Sequence, residues 1–201
     1  MGSATERLTK KQKEMAVALG RSIGKHDCIL VTGGCPGLPH LTAKGIKQAG
    51  GLSIGISPGL SLMEHVQKYD SPTKHFDVLI FTGSGLMGRE VVNIRSSDIV
   101  LIIGGRSGTL GEFAIAYDEG KLIGVLKGSG GISDRIEVIL DICKIKDTGA
   151  KVILGNYNDQ QFAEALKMFP ANDPRVATVV HDVMVRETWA AKADEIEKKF
   201  G

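Results

Sequence analysis

Residues 98–112 read DIVLIIGGRSGTLGE, and this stretch decides the fold. It opens with an unbroken apolar run, Ile99 to Ile103, of the kind found in strands covered on both faces. Two glycines then predict a turn, and the residues from Ser107 onward are suited to begin a helix. The stretch therefore predicts a buried strand that leads through a glycine-rich loop into a helix, the repeating unit of parallel sheets.

The same pattern of strand, loop and helix repeats along the chain. The apolar runs CILV, LSIGIS, DVLIF, LIGVL and KVIL alternate with segments of helical periodicity. This alternation predicts an α/β fold with a doubly wound, mostly parallel, Rossmann-like sheet and right-handed crossovers. A further helix, from about Thr9 to Gly24, is predicted before the first clear strand.

The length of 201 residues suits a single domain with a C-terminal extension. We expect residues 1–170 to form the Rossmann-like domain, because prolines at 170 and 174 interrupt the alternating pattern. The extension, residues 171–201, contains TVV, which reads as a short strand, and an amphipathic helix. One face of that helix is an apolar stripe formed by Val185, Trp189, Ile196 and Phe200. This stripe packs either on the same domain or on a partner subunit.

Composition excludes several classes of function. The formal net charge is only +2, which gives no electrostatic reason to expect duplex nucleic acid or a membrane surface as a partner. No apolar run approaches the roughly 20 residues of a membrane helix. Three cysteines without a CxxC pair, and an N-terminus without an apolar signal region, predict a reduced cytoplasmic setting. The histidines show no ligand spacing, so neither a metal nor a cofactor is predicted.

The 26 glycines are concentrated after the predicted strands. The loops TGGCPG, SPG, TGSGLMG, GGRSGT and KGSGG would all lie along the carboxyl edge of a parallel sheet, where open α/β folds bind their ligands. Glycine lets the backbone approach a ligand closely, and each following helix points free N–H groups at its loop. A single such loop is explained by turn geometry alone, but several on one edge favour a phosphate-bearing small molecule.

Two common nucleotide motifs do not fit the loop at residues 83–88. GSGLMG matches GxGxxG, but a dinucleotide site also needs an acidic residue at the end of the next strand, which here ends in two glycines. Arg89 and Glu90 stand where a Walker A loop requires Lys and Ser or Thr. The loop therefore does not indicate a dinucleotide cofactor or a Walker A site.

Thr109 and Glu112 have two interpretations. The spacing T-x-x-E matches a capping box, in which the Thr caps the helix and the Glu bonds back to the cap. Alternatively, Glu112 belongs to a ligand site, because the glycine-rich stretch before it and the neighbouring loop with Arg89 share one sheet edge. Arg89 likewise reads either as a solvated arginine or as part of that site.

Three motifs in order resemble the LOG proteins, phosphoribohydrolases that activate cytokinins and are often mislabelled lysine decarboxylases. DIVLIIGGRSGTLGE resembles their PGGxGTxxE signature, and GREVVNIRSSD resembles their RK…SD helix. LVTGGCPGLPHLTAKGIKQAGG resembles their GGG…GLMG loop and the helix after it. VTGGCPG together with GLSIGISPG is most similar to a sister group that includes DprA-related proteins and a molybdenum cofactor carrier. The resemblance covers roughly residues 15–170.

The resemblance implies a set of site residues. Arg89 and Glu112 would be the catalytic pair. The phosphate- or nucleotide-binding residues would come from the glycine-rich loops: Gly33, Gly34, Gly37, Gly83, Gly105, Ser107, Gly108 and Thr109. The chain departs from the signature at Gly104, where the family has Pro, and at Arg106, where it has Gly. The family's first strand, which ends in Gly-Ser, corresponds at most to residues 2–4.

The implied activity is hydrolysis of the N-glycosidic bond of a nucleoside 5′-monophosphate, which releases the base and ribose 5-phosphate. A non-catalytic nucleotide-binding protein or molybdenum cofactor carrier would use the same loops without turnover. A DprA-like single-strand DNA binder ranks last, because aromatic residues make up only 5% of the chain and the net charge is near zero.

A homodimer or larger assembly is also expected. LOG-like proteins pair through helices beside their site. In addition, the segment EFAIAYDEG carries apolar residues around more of its helix than one sheet face can cover, namely Phe113, Ile115, Ala116 and Tyr117.

Overall fold

The computed structural model describes residues 1–4, 7–143, 148–156, 176–180 and 198. Within these residues the strands are β1 Leu30–Thr32, β2 Ser53–Ser57, β3 Val78–Phe81, β4 Ile99–Ile103, β5 Leu122–Leu126, β6 Lys151–Asn156 and β7 Val176–Val180. The α-helices are α1 Lys10–Lys25, α2 Leu38–Gln48, α3 Gly85–Arg95, α4 Ser107–Asp118 and α5 Ile136–Cys143. A π-helix covers Glu64–Lys68, and a 3-10 helix covers Gly131–Arg135.

The strands form two sheets, and every pairing in them is parallel. One sheet has the order β1-β2-β3, and the other has the order β4-β5-β6-β7. Helices follow most strands, as the alternating pattern predicts. The architecture confirms the predicted α/β, Rossmann-like fold.

The N-terminal segment lies beside β4. Gly2 forms a parallel bridge with Ile103, and the Ile103 N–H donates to the Met1 carbonyl at 2.9 Å. On its other side, the Leu38 N–H at the start of α2 donates to the Ser3 carbonyl at 2.9 Å. This short stretch therefore runs parallel to β4 and connects it to α2 by hydrogen bonds. It comprises the residues, 2–4, that were expected to correspond to the family's first strand.

Helix α1 begins as predicted, with Thr9 as its cap. The Gln12 N–H donates to Thr9 Oγ1, and the Thr9 N–H donates to Gln12 Oε1, which completes a capping box. The helix crosses α2 at a pair of glycines, Gly20 and Gly45. A Cβ on Gly20 would lie 2.0 Å from the Thr42 carbonyl oxygen, so the two backbones are in direct contact.

The main hydrophobic core lies against β4, β5 and β6. Phe113 and Ala116 of α4 and Ile136 of α5 are completely buried there, with Ile123 and Leu154 from the sheet. Tyr117 is also buried in this core, and Ile115 packs against it. Three of the four apolar residues in the α4 segment that suggested a partner surface are therefore buried within the chain, and only Ile115 is partly exposed.

One strand differs from the predicted pattern. Strand β3 is not covered on both faces, because Val78 and Ile80 are exposed on one of them.

The segment SLMEHVQKYD, residues 61–70, is helical from residue 62 to 68, and most of this helix is the π-helix. His65 within it is fully buried, and its ring bonds to Ser57 Oγ and to the Pro72 carbonyl.

The C-terminal part is described only at two places. Strand β7 contains the predicted TVV strand and extends the sheet beside β6. The segment of helical periodicity after KVIL, residues 158–169, and the final amphipathic helix lie outside the described residues, except that Lys198 is helical. No helix in the described part is both long and apolar enough to cross a membrane.

Candidate functional site

A cavity of about 190 Å³ opens at the carboxyl ends of β1 and β4. Five segments line it: residues 1–4, the end of β1 with the loop after it, the start of α2, the first turns of α3, and the beginning of α4. Pockets that enclose a whole drug-sized ligand usually measure about 300–1,000 Å³. The enclosed part therefore suits one portion of a nucleotide-sized ligand, with the remainder at the mouth.

The turn that delivers α4 to the cavity is fixed by side chains from two other segments. The Gly104 N–H donates to Ser129 Oγ, and the Gly105 N–H donates to Ser3 Oγ, both at 2.7 Å. Ser133 Oγ donates in turn to the Gly104 carbonyl at 2.9 Å. Both glycines have positive φ, 63° and 101°, which explains why glycine stands there. A rigid turn thus aims the positive end of α4 at the cavity.

Helix α4 begins earlier than a capping box at Thr109 would require. Its cap residue is Arg106, which makes no side-chain cap bond, and the Leu110 N–H donates to the Arg106 carbonyl at 2.9 Å. Thr109 is the third residue of the helix, and its side chain is buried beside the cavity. The interpretation of Thr109 and Glu112 as a capping box is therefore wrong. Glu112 faces the cavity instead.

Arg89 is held inside the protein. Only 6% of it is exposed, so its interpretation as a solvated arginine is wrong. Its Nη1 donates to the Gly33 carbonyl and, at 3.4 Å, to the Ile56 carbonyl. Its Nε is buried and has no hydrogen-bond partner in the described part of the chain. Gly33 leaves room for the guanidinium, since a Cβ at that position would overlap it.

Burial dominates the electrostatics of the cavity. It raises the pKa of the Glu112 carboxyl, against the opposing charges of the Met1 ammonium group and Arg89. The pKa of Glu90 is raised by burial and by the negative charge of Glu112, with Arg89 opposing. Burial also raises the pKa of the Cys35 thiol, which Arg89 partly offsets. The site thus collects ionisable groups whose charged forms are poorly solvated.

The structure brings together five of the residues that the sequence assigned to a site, and they line one cavity: Gly33, Arg89, Gly108, Thr109 and Glu112. They come from three segments that are far apart in the sequence: the loop after β1, helix α3 and the beginning of α4. These segments follow β1, β3 and β4, and they meet at the carboxyl ends of the two parallel sheets.

The other assigned residues do not line the cavity. Gly34 donates its N–H to Thr32 Oγ1 and lies against His65, and Gly37 is the cap residue of α2. Gly83 donates to the Gly59 carbonyl and packs on Leu60.

Gly105 and Ser107 border the start of α4 without lining the cavity. The N–H of Gly105 is already used by Ser3, as described above. Ser107 is exposed on the first turn of the helix, where N–H groups have no partner within the helix. Of these two residues, only Ser107 keeps a free backbone donor near the mouth.

Several lining residues were missed from the sequence, notably Ser3, Cys35, Glu90 and Arg106. The sequence did contain a signal for Glu90. In the RK…SD helix of the LOG proteins a Lys directly follows the arginine, whereas this chain has Glu at that position. Arg106 stands where the signature has glycine. No group of three His, Cys, Asp or Glu side chains in the described residues is arranged to hold a metal ion.

Comparison with known proteins finds related sequences and similar folds. The chain is 35% identical over 113 residues to an uncharacterized protein of Archaeoglobus fulgidus, a stretch that covers 56% of this chain and 69% of that protein. Two solved structures superpose with a TM-score of 0.62 over 83% of this chain and 92% of theirs. They are the molybdenum cofactor binding protein of Rippkaea orientalis, 27% identical, and the molybdenum cofactor carrier protein of Chlamydomonas reinhardtii, 30% identical.

A family model matches most of the sequence. The model of the SLOG cluster4 family matches residues 1–162, which include the whole cavity. Together with the solved structures, this match confirms the resemblance to LOG-like proteins and to the molybdenum cofactor carriers that the motifs indicate. The chain belongs to the SLOG cluster4 family.

Proposed function

We propose that the cavity binds a phosphate-bearing heterocyclic compound and hydrolyses the N-glycosidic bond of a nucleoside 5′-monophosphate. The observation that carries this proposal is the Glu112 carboxylate, which is 7% exposed and lies in the same cavity as Arg89 and the first turn of α4. The phosphate would lie at the N–H groups of that turn, near the exposed Arg106. The ribose would then reach Glu112, one helical turn further along.

The chemistry follows from the charge that develops in such a reaction. As the bond between the ribose C1′ and the base nitrogen breaks, positive charge builds on the ribose ring, and water adds to C1′. An ionised Glu112 beside the ring would stabilise this charge in a site where water screens it poorly. Because Arg89 is anchored to backbone carbonyls, its role is to hold the loop after β1 and to favour the ionised form of Glu112.

Ligand binding is expected to stabilise the protein against heat. A single site at 100-fold excess of ligand over its dissociation constant contributes about 2.7 kcal/mol. For a domain of this size, that corresponds to a rise in melting temperature of about 5–10 °C. Differential scanning fluorimetry with nucleoside monophosphates, a pterin phosphate and inorganic phosphate measures it. An unchanged melting temperature with all of them at millimolar concentration would contradict the proposed site.

A carrier without turnover is the second candidate, and the similarity to the two molybdenum cofactor proteins favours it. In that case the same cavity would hold its ligand without breaking a bond. Incubation with a nucleoside monophosphate, followed by chromatography of the small molecules, separates the two candidates. Free base indicates the hydrolase, whereas quantitative recovery of a tightly bound, intact ligand indicates the carrier.

We also expect a homodimer or larger assembly. The structure offers a different surface for it from the one the sequence suggested, at the loops after β2 and β3. Leu60 is 72% exposed there and Met87 is 78% exposed, near the exposed Met63 and Leu86. Light scattering at micromolar concentration should give more than 21.4 kDa, the mass of one chain.

The variant Met87→Glu should lower the mass of the assembly, because it places a charge in this apolar surface. Ile142→Glu is the matched control, since Ile142 is similarly exposed on α5, away from these loops. A wild-type particle of one chain, or an equal effect of both variants, would count against this surface.

A further inference from the structure

Histidine side chains hold the segment of residues 70–76, which leads from the π-helix to β3. The ring of His65, in the π-helix, donates from Nε2 to the Pro72 carbonyl at 3.1 Å, since a carbonyl only accepts. The ring of His40, on the first turn of α2, donates in the same way to the Lys74 carbonyl at 3.0 Å. Two imidazole rings from two different helices therefore fix the middle of this segment.

A third histidine, His75, belongs to the segment itself and has a strained backbone. Its φ is 72°, and Asp70 at the other end of the segment has a φ of 44°. Residues with a side chain seldom adopt this left-handed conformation, and it persists only where surrounding contacts impose it. The segment is thus held against its own backbone preference, and the loss of these contacts would let it relax away from α2.

The charged groups that face His40 and His75 are cationic. They are Lys44 on α2 and Lys74 in the segment, and the centroids of the two imidazole rings lie only 5.3 Å apart. Burial is the main cause that lowers the pKa of His40, and the two lysines add to it against the hydrogen bond to the Lys74 carbonyl. Burial, His40 and both lysines lower the pKa of His75. Protonation of both rings would therefore place four positive charges together.

We propose that residues 70–76 form a pH-sensitive strap, which is closed on α2 at neutral pH and released when His40 and His75 both take up a proton. The direction follows from linkage. Because the folded-state pKa of each ring is lowered, the closed strap is fully stable above the value of a free histidine, about 6.5, and loses stability as pH falls through the lower folded values. Two unit charges about 5 Å apart near a protein surface repel strongly enough to change an opening equilibrium about tenfold or more.

The strap is connected to the wall of the cavity at two places. His40 directly follows Pro39, which lines the cavity at the start of α2. His65, which holds the strap at Pro72, packs against Gly34: a Cβ there would lie 3.2 Å from its Cε1, and the residues on either side of this glycine line the cavity. Release of the strap should therefore loosen the cavity wall at the start of α2 and in the loop after β1.

Hydrogen–deuterium exchange at about pH 7.5 and about pH 5.5 tests the strap, with labelling times adjusted for the intrinsic pH dependence of exchange. In the wild type, the protection of residues 70–76 should fall about tenfold or more at the lower pH, relative to peptides from β4 and β5. The double variant His40→Gln, His75→Asn should lose less than about twofold. Gln keeps a side-chain N–H for the Lys74 carbonyl, and Asn tolerates positive φ, but neither takes up a proton.

His26→Asn is the matched control, because His26 is an exposed histidine at the end of α1, and this variant should repeat the behaviour of the wild type. NMR titration of the imidazole protons of the wild type is a second measurement that needs no variant. The midpoints of His40 and His75 should lie below that of a free histidine, about 6.5.

Three results would overturn the strap. The first is unchanged protection of residues 70–76 in the wild type at the lower pH. The second is an equal loss in the double variant, because the loss would then not depend on these rings. The third is an equal loss in β4 and β5, which reflects unfolding of the whole domain. Midpoints of both rings at or above about 6.5 would contradict it as well.

Discussion

The variant Glu112→Gln is expected to lower kcat for base release by about 100- to 1,000-fold, while the affinity for the monophosphate changes little. Removal of one group that stabilises transition-state charge typically has an effect of this size. The positive charge on the ribose exists only as the glycosidic bond breaks, so kcat should fall and KM should stay nearly constant. Gln preserves the shape of the side chain and deletes its charge. Chromatographic quantification of free base at saturating substrate measures the change.

Glu119→Gln is the matched control for this substitution. Glu119 lies at the other end of α4, where it is paired with Arg95 at 2.6 Å, and its loss should leave kcat unchanged. The melting temperature of Glu112→Gln should not fall at neutral pH. Since burial raises the pKa of Glu112 in the folded state, its contribution to stability is present below its unfolded pKa and is lost as pH rises through the folded value. Equal base release by Glu112→Gln and wild type would exclude Glu112 from the reaction.

The variant Gly20→Ala is expected to destabilise the fold by about 3 kcal/mol, at the upper end of the usual cost of overpacking. The added methyl group would lie 2.0 Å from the Thr42 carbonyl oxygen and 2.8 Å from the Ile46 nitrogen. These are backbone atoms of α2, so the two helices must move apart. The expected fall in melting temperature is about 6–12 °C for a domain of this size, measurable by circular dichroism.

Lys13→Ala on the exposed face of α1 is the control for that measurement. It should change stability by less than about 0.5 kcal/mol, as surface substitutions usually do. A melting temperature for Gly20→Ala within 2 °C of the wild type would show that α1 and α2 do not cross at Gly20 and Gly45 as described.

Most of the fold could be predicted from local pattern, because each strand and helix has its own periodicity. The apolar run at Ile99–Ile103 and the glycines after it are sufficient to predict β4, the turn and α4. The crossing at Gly20 and Gly45 could not be predicted, since a glycine within a helix signals lower propensity and does not reveal what packs against it. Periodicity could not predict the position of residues 1–3 beside β4, because three residues are too few to carry it; only the resemblance to the family's first strand pointed to residues 2–4.

The candidate site was predictable where the parallel sheet dictates it. Arg89 follows β3 and Glu112 follows β4, and the carboxyl ends of the two parallel sheets bring them into one cavity. Gly83 follows a strand as well, but its loop packs on Leu60, and that contact depends on tertiary packing. Glu90 was passed over because a carboxylate next to an arginine in sequence resembles an ordinary surface pair. Only its burial shows that it belongs to the cavity.

The most direct test of the account is a crystal structure of Glu112→Gln with guanosine 5′-monophosphate, which this slow variant should retain intact. The account predicts the phosphate within about 3 Å of the N–H groups at Ser107–Thr109 and the ribose beside residue 112. A nucleotide bound elsewhere, for example at the loop that holds Gly83, with this cavity filled only by water, would contradict it.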